Sequence, residues 1–216
     1  MLYLYLHGFA SGPGTRKGQF FKQKLVLENK QLLIPDLSQG DFPNTTITKQ
    51  VALVRHLIQT TGEPVVLLGS SLGGFIAALV AEMVPQVKGI FLIAPGFQFY
   101  ERRKQMMGEN ALQKWETEGQ IEVYHHHLQK MMPLYSQFID DARQYEGQQF
   151  TRQIPAMVIH GLHDEVVPYE VSLHYVQQNP KAHLVLLHAD HGMVDVLPEL
   201  WDYFTLFRHF LKSGDT

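Results

Sequence analysis

The segment Gly69-Ser70-Ser71-Leu72-Gly73 is a Gly-x-Ser-x-Gly run. It stands between an apolar stretch at 65–68 and a helical stretch at 75–84. A serine in that position sits on a sharp strand-to-helix turn that pushes its hydroxyl into the open. Strand and helix then pass so close, two residues to either side, that only glycine fits. This register selects Ser71, because Ser70 has Leu68 and Leu72 at the flanking positions. A serine hydroxyl is a weak nucleophile at neutral pH. It needs a base, and the base needs an orienting acid. His188-Ala189-Asp190-His191-Gly192-Met193 follows the last apolar run, and His160-Gly161-Leu162-His163-Asp164-Glu165 follows the run before it. His191 is the expected base, with His188 as its rival. Asp164 is the expected acid, with Asp190, Asp195 and Glu165 as rivals. Such a set performs acyl transfer, which also needs donors for the oxyanion. The backbone N–H of Leu72 is one expected donor. The other is that of Phe9, in the loop His7-Gly8-Phe9-Ala10-Ser11-Gly12-Pro13-Gly14.

These residues must be carried by regular elements. Apolar runs at 2–6, 31–34, 65–68, 89–93, 156–159 and 183–187 have the length of strands. Most are apolar throughout, as in strands buried on both faces. Ile47, Val51, Val54 and Ile58 follow helical spacing, as do Leu197, Leu200, Trp201, Phe204, Phe207 and Leu211. This alternation predicts an α/β chain, a mostly parallel sheet of about six strands with helices on both faces. Ligands in such sheets bind beyond the carboxyl ends of the strands, and each candidate above lies there. The stretch 97–150 is too long for an ordinary crossover. It shows helical pieces near 101–107 and 134–145 and an alternating piece at 120–125. It is expected to be a cap or lid inserted into a single domain spanning 1–216; the alternative is an elaborated surface crossover. Ser11, Phe97, Tyr100, Met131 and Phe138 are expected against substrate. Equally, the methionines and aromatics of 97–150 could form only the small core of the insertion.

A length of 216 residues suits one domain. With 45% hydrophobic and 18% charged residues the chain is globular, not disordered. A net charge of −3 carries no nucleic-acid footprint. The absence of cysteine excludes disulfides, thiolate metal sites and a cysteine nucleophile. No apolar run approaches the roughly 20 residues of a membrane helix, and the first apolar run has no basic leader. A cytoplasmic protein is therefore expected. The stretch Gly12-Pro13-Gly14-Thr15-Arg16-Lys17-Gly18 has the wrong spacing for a dinucleotide loop, and no Gly-Lys-Ser or Gly-Lys-Thr occurs. Arg16 and Lys17 read as the solvated start of a helix. Their alternative role is to meet an acidic leaving group such as a phosphate-bearing carrier. His125-His126-His127 cannot share one helix face and reads as an exposed part of the insertion, so no metal is expected.

In chain order, His7-Gly8-Phe9, the Ser71 run, Asp164 after His160-Gly161, and His191-Gly192 resemble the α/β-hydrolase superfamily. The resemblance covers the whole chain. It is strongest to small bacterial serine esterases and thioesterases that open directly on the His-Gly strand. The larger members carry antiparallel strands ahead of that strand and about eight strands in all, and this chain departs from them there. The resemblance implies the α/β-hydrolase fold and hydrolysis of a small-molecule ester or thioester through an acyl-enzyme, without cofactor or metal. C–C bond hydrolases share the fold, as would a non-catalytic ligand-binding protein with the same residues idle.

Overall fold

A computed structural model describes residues 1–213. The chain runs β1 (Leu2–Leu6), α1 (Arg16–Leu27), β2 (Leu32–Leu33), a 3-10 turn (Phe42–Asn44), α2 (Ile47–Thr61), β3 (Val65–Ser70), α3 (Leu72–Met83) and β4 (Val87–Ile93). It continues through α4 (Phe99–Met107), α5 (Glu109–Glu118), β5 (Gln120–His125), β6 (Lys130–Tyr135), α6 (Gln137–Arg143), β7 (Ala156–Gly161), α7 (Glu170–Gln178), β8 (Ala182–Leu187) and α8 (Leu197–Ser213).

Side chains alternate along a strand, so a strand apolar at every position needs an apolar layer on each side. The sheet meets this condition. Leu4, Leu6, Leu67, Ile90 and Leu92 face one core, shared with Val54 of α2, Ile76 and Val80 of α3 and Tyr175 of α7. Tyr3, Tyr5, Val66, Leu68 and Phe91 face the other, with Phe21 and Leu25 of α1 and Leu200, Phe204 and Phe207 of α8. Six strands lie in the order β2-β1-β3-β4-β7-β8, and every neighbouring pair is parallel. The chain leaves β1 toward β2 on one side and comes back to form β3 on the other. The carboxyl ends of β1 and β3 therefore flank a topological switch point, where such sheets bind ligands.

The six strands fall on the six apolar runs, with small shifts. β2 keeps only two residues, and β4 starts at Val87 instead of Gly89. The stretch 97–150 differs more. The expected helical piece at 134–145 is a strand and then a short helix: β6 pairs antiparallel with β5, Gln120 opposite Tyr135, and α6 follows. α5 adds a helix that the spacing did not suggest. Trp115 of α5 holds this unit together, fully buried, with its indole N–H donating to Leu134 O at 3.1 Å.

Candidate active site

Ser71 occupies the turn between β3 and α3 with φ 53° and ψ −123°, a conformation costly for any residue with a Cβ. The two glycines of the run permit the turn. A Cβ on Gly69 would lie 2.4 Å from Gly73 O, and a Cβ on Gly73 would lie 2.1 Å from Leu6 O. The second clash is with the end of β1, so the motif joins three elements and not two. Gly73→Ala is expected to cost about 3 kcal/mol or more, because both partners are backbone and neither can rotate away. Urea denaturation reads this. A loss below about 1 kcal/mol would mean that the end of β1 gives way easily.

His191 comes from the loop after β8 and Asp164 from the loop after β7. Asp164 Oδ2 lies 2.7 Å from His191 Nδ1, and His191 Nε2 lies 3.0 Å from Ser71 Oγ. An ionised carboxylate only accepts, so Nδ1 carries the proton and Nε2 is left to accept from the Ser71 hydroxyl. The Asp164 side chain is fully buried and His191 is 20% exposed. Oδ1 of Asp164 accepts from the N–H groups of Val166 (2.9 Å) and Val167 (2.7 Å). Burial alone would push this carboxyl up. Hydrogen bonds from His160, His191 and the Val167 N–H outweigh burial and hold it well below the usual carboxylate range. The rivals lie elsewhere. His188 pairs with His163 at 3.4 Å on the surface, and Asp190 Oδ1 accepts from the Met193 N–H at 2.9 Å. Asp195 and Glu165 are exposed.

The loop after β1 passes directly over the serine: a Cβ on Gly8 would lie 3.4 Å from Ser71 Cβ. The next N–H belongs to Phe9. Among the described residues, neither the Phe9 N–H nor the Leu72 N–H donates a hydrogen bond. The Phe9 ring is held by Phe42 (6.0 Å), Phe99 (6.0 Å) and Phe138 (5.3 Å), and the Arg103 guanidinium lies 4.7 Å above it. Side chains of 97–150 thus fix the loop that carries this N–H.

A cavity of about 810 Å³ opens beside Ser71 and His191. Of the five residues expected against substrate, Ser11 lines it and the other four do not. Phe97 stacks on Tyr175 at 4.7 Å, around a separate hollow of about 120 Å³. The Tyr100 hydroxyl accepts from Arg143 Nε at 3.0 Å. Phe138 is fully buried, and Met131 is exposed on the β5–β6 hairpin. Phe97, Tyr100 and Phe138 are instead engaged in packing with other side chains.

A model of one protein family matches residues 2–208 of the chain. The chain belongs to the uncharacterised protein family UPF0227. Its fold is the α/β-hydrolase fold, as superposition on solved structures shows. Mouse alpha/beta hydrolase domain-containing protein 10 superposes with a TM-score of 0.81 at 19% identity, covering 97% of this chain and 90% of that one. Est1E from Butyrivibrio proteoclasticus, solved with ferulic acid bound, gives 0.78 at 18% identity, covering 96% and 89%. A structure from work on LipS and LipT, two metagenome-derived lipolytic enzymes, gives 0.72 at 16% identity, covering 96% and 93%. At these identities the likeness is one of fold. No curated protein matches the sequence. Among the described residues no helix is long and apolar enough to cross a membrane.

Three features of this UPF0227 chain were not read from its sequence. His160 lies fully buried behind Asp164. Its Nε2–H donates to Val167 O at 2.8 Å and lies 3.1 Å from Asp164 Oδ2, while Nδ1 sits 2.7 Å from Ser172 Oγ. A histidine ending a strand buried on both faces was the available signal. Lys17 is not a solvated helix start. Its Nζ donates to Gly192 O at 2.6 Å, and burial pushes its pKa down to about 8 against the pull of Asp190 and Asp164. Arg16 beside it is exposed, as expected. The histidine run divides as well. His125 is buried edge-on against Phe42 at 4.8 Å, whereas His126 and His127 are exposed and line the cavity. Among the described residues no three His, Asp or Glu side chains are grouped to hold a metal ion.

Proposed function

We propose that this protein is a serine hydrolase that cleaves carboxylic esters or thioesters through an acyl-enzyme. The observation that carries the reading is the unbroken hydrogen-bonded line from Ser71 Oγ through His191 to the buried Asp164 carboxylate. Ser71 Oγ attacks the acyl carbon while His191 Nε2 takes its proton. Asp164 fixes the ring and stabilises the imidazolium. The N–H groups of Phe9 and Leu72 receive the oxyanion, each worth roughly 3–4 kcal/mol of barrier. The carbonyl then re-forms and the bond to the leaving oxygen or sulfur breaks. His191 returns its proton to that atom. Water attacks the acyl-enzyme with His191 again as base, and Ser71 is released with its proton. Residues 97–150 serve as the cap, supported by their grip on Phe9 and by His126 and His127 at the cavity wall.

A fluorophosphonate tests the nucleophile. Ser71 Oγ would displace fluoride from phosphorus, and intact mass would gain one phosphonyl group. One adduct on the wild type and none on Ser71→Ala is the expected result. A folded wild type that takes up neither this probe nor a smaller one would overturn the proposal.

A further inference from the structure

We infer that the alcohol or thiol released from the substrate carries an anionic group, a phosphate or carboxylate, that seats against Arg16 and Lys17 in the cavity beside Ser71. This rests on the acyl-transfer reading above and names the substrate class for that site.

The charge around the cavity carries the inference. The chain as a whole is acidic, with 21 Asp and Glu against 18 Lys and Arg. The cavity reverses that sign: Arg16 and Lys17 are the charged side chains that line it, and no Asp or Glu does. Among the described residues Arg16 forms no ion pair. Lys17 spends one N–H on Gly192 O and keeps two. Asp190 and Asp164 act on Lys17 through space without bonding to it. A buried ammonium loses proton affinity, and a bound anion would restore it.

Position decides which half of the substrate meets these cations. Lys17 is bonded to Gly192, the residue after His191. His191 must pass its proton to the leaving group, so that group lies on the side of His191. The cationic wall is therefore on the leaving-group side and not the acyl side. His127 packs on the loop that leads into these cations: its ring would lie 2.8 Å from a Cβ on Gly12 and 2.9 Å from one on Gly14. A cavity of about 810 Å³ also exceeds what a short acyl group fills.

Acetyl thioesters sharing one acyl group but differing in the thiol test this. The thiols are N-acetylcysteamine (neutral), 3-mercaptopropionate (carboxylate), phosphopantetheine (phosphate) and thiocholine (cationic). Released thiol is read with a thiol reagent, and a chain with no cysteine adds no background. In the wild type, kcat/KM for at least one anionic thioester should exceed the neutral one by about tenfold, the scale of one charge-assisted contact. Whichever of the two gains more names the group. In Arg16→Glu the anionic-to-neutral ratio should fall to one or below and the thiocholine ester should gain. Ratios divide out any general loss from the substitution. Ser71-dependent turnover with equal rates for anionic and neutral thiols would overturn the subsite and leave the hydrolase reading standing. No turnover of any thioester by a wild type that also takes up no fluorophosphonate would overturn both. No thioester turnover by a wild type that does take up the probe would overturn the subsite for thiol leaving groups alone.

Discussion

Ser71→Gly is expected to make this protein more stable and inactive at once. Ser71 holds φ 53° and ψ −123°, and a residue with a Cβ in such a region costs about 1–3 kcal/mol. Glycine adopts it freely. Part of the gain is offset by the larger freedom of glycine in the unfolded chain, about 0.4–1 kcal/mol. The hydrogen bond to His191 is also lost, but His191 is partly exposed and can turn to water. The balance is a gain of about 1 kcal/mol, or roughly 2–4 °C in Tm for a chain this long. Ser71→Ala keeps the strained backbone and serves as the control. Both variants should lose about 10⁴–10⁶ in kcat, since the covalent route goes with the hydroxyl. Thermal unfolding and ester hydrolysis on the three proteins read both effects. A glycine variant no more stable than the alanine variant would mean that the turn stores no strain. Retained turnover in either would remove Ser71 from the mechanism.

What the sequence disclosed follows from how locally each feature is determined. The six sheet strands are legible because burial on both faces leaves an apolar run with no polar interruption, as in 65–68 and 156–159. The meeting of Ser71, Asp164 and His191 is legible because each lies in the segment that follows such a run, and a parallel sheet gathers those segments at one edge. β6 is not legible. Lys-Met-Met-Pro-Leu-Tyr has no clean alternation and carries a proline, and the strand exists because β5 offers a partner across a short turn. The contact of Lys17 with Gly192 spans 175 positions, and no local pattern encodes it. Phe97 and Phe138 mislead for a related reason. Aromatic residues near a site look the same in sequence whether they face substrate or one another. Only the packing of Phe138 on Phe9 shows that its influence on the site is indirect.

Asp164→Asn is expected to lower kcat by about 10⁴ with the fold retained, and the hydrogen bonds around Asp164 say why. Oδ1 accepts two backbone N–H groups, from Val166 and Val167. These donors cannot change character, so the amide oxygen of asparagine must take that position. The amide NH2 then faces His191 Nδ1 and His160 Nε2. His160 Nε2–H is committed to Val167 O and cannot turn into an acceptor. His191 is freer. It can meet the amide by moving its proton from Nδ1 to Nε2, and Nε2–H then faces Ser71 Oγ as a donor. In that tautomer the ring cannot take the serine proton, although every heavy atom stays in place. The loss should fall on kcat more than on KM, because binding of the ground state does not involve the proton. An Asp164→Asn protein with unchanged kcat would show that the ring is oriented by something other than Asp164, and the assignment of this carboxylate would fall.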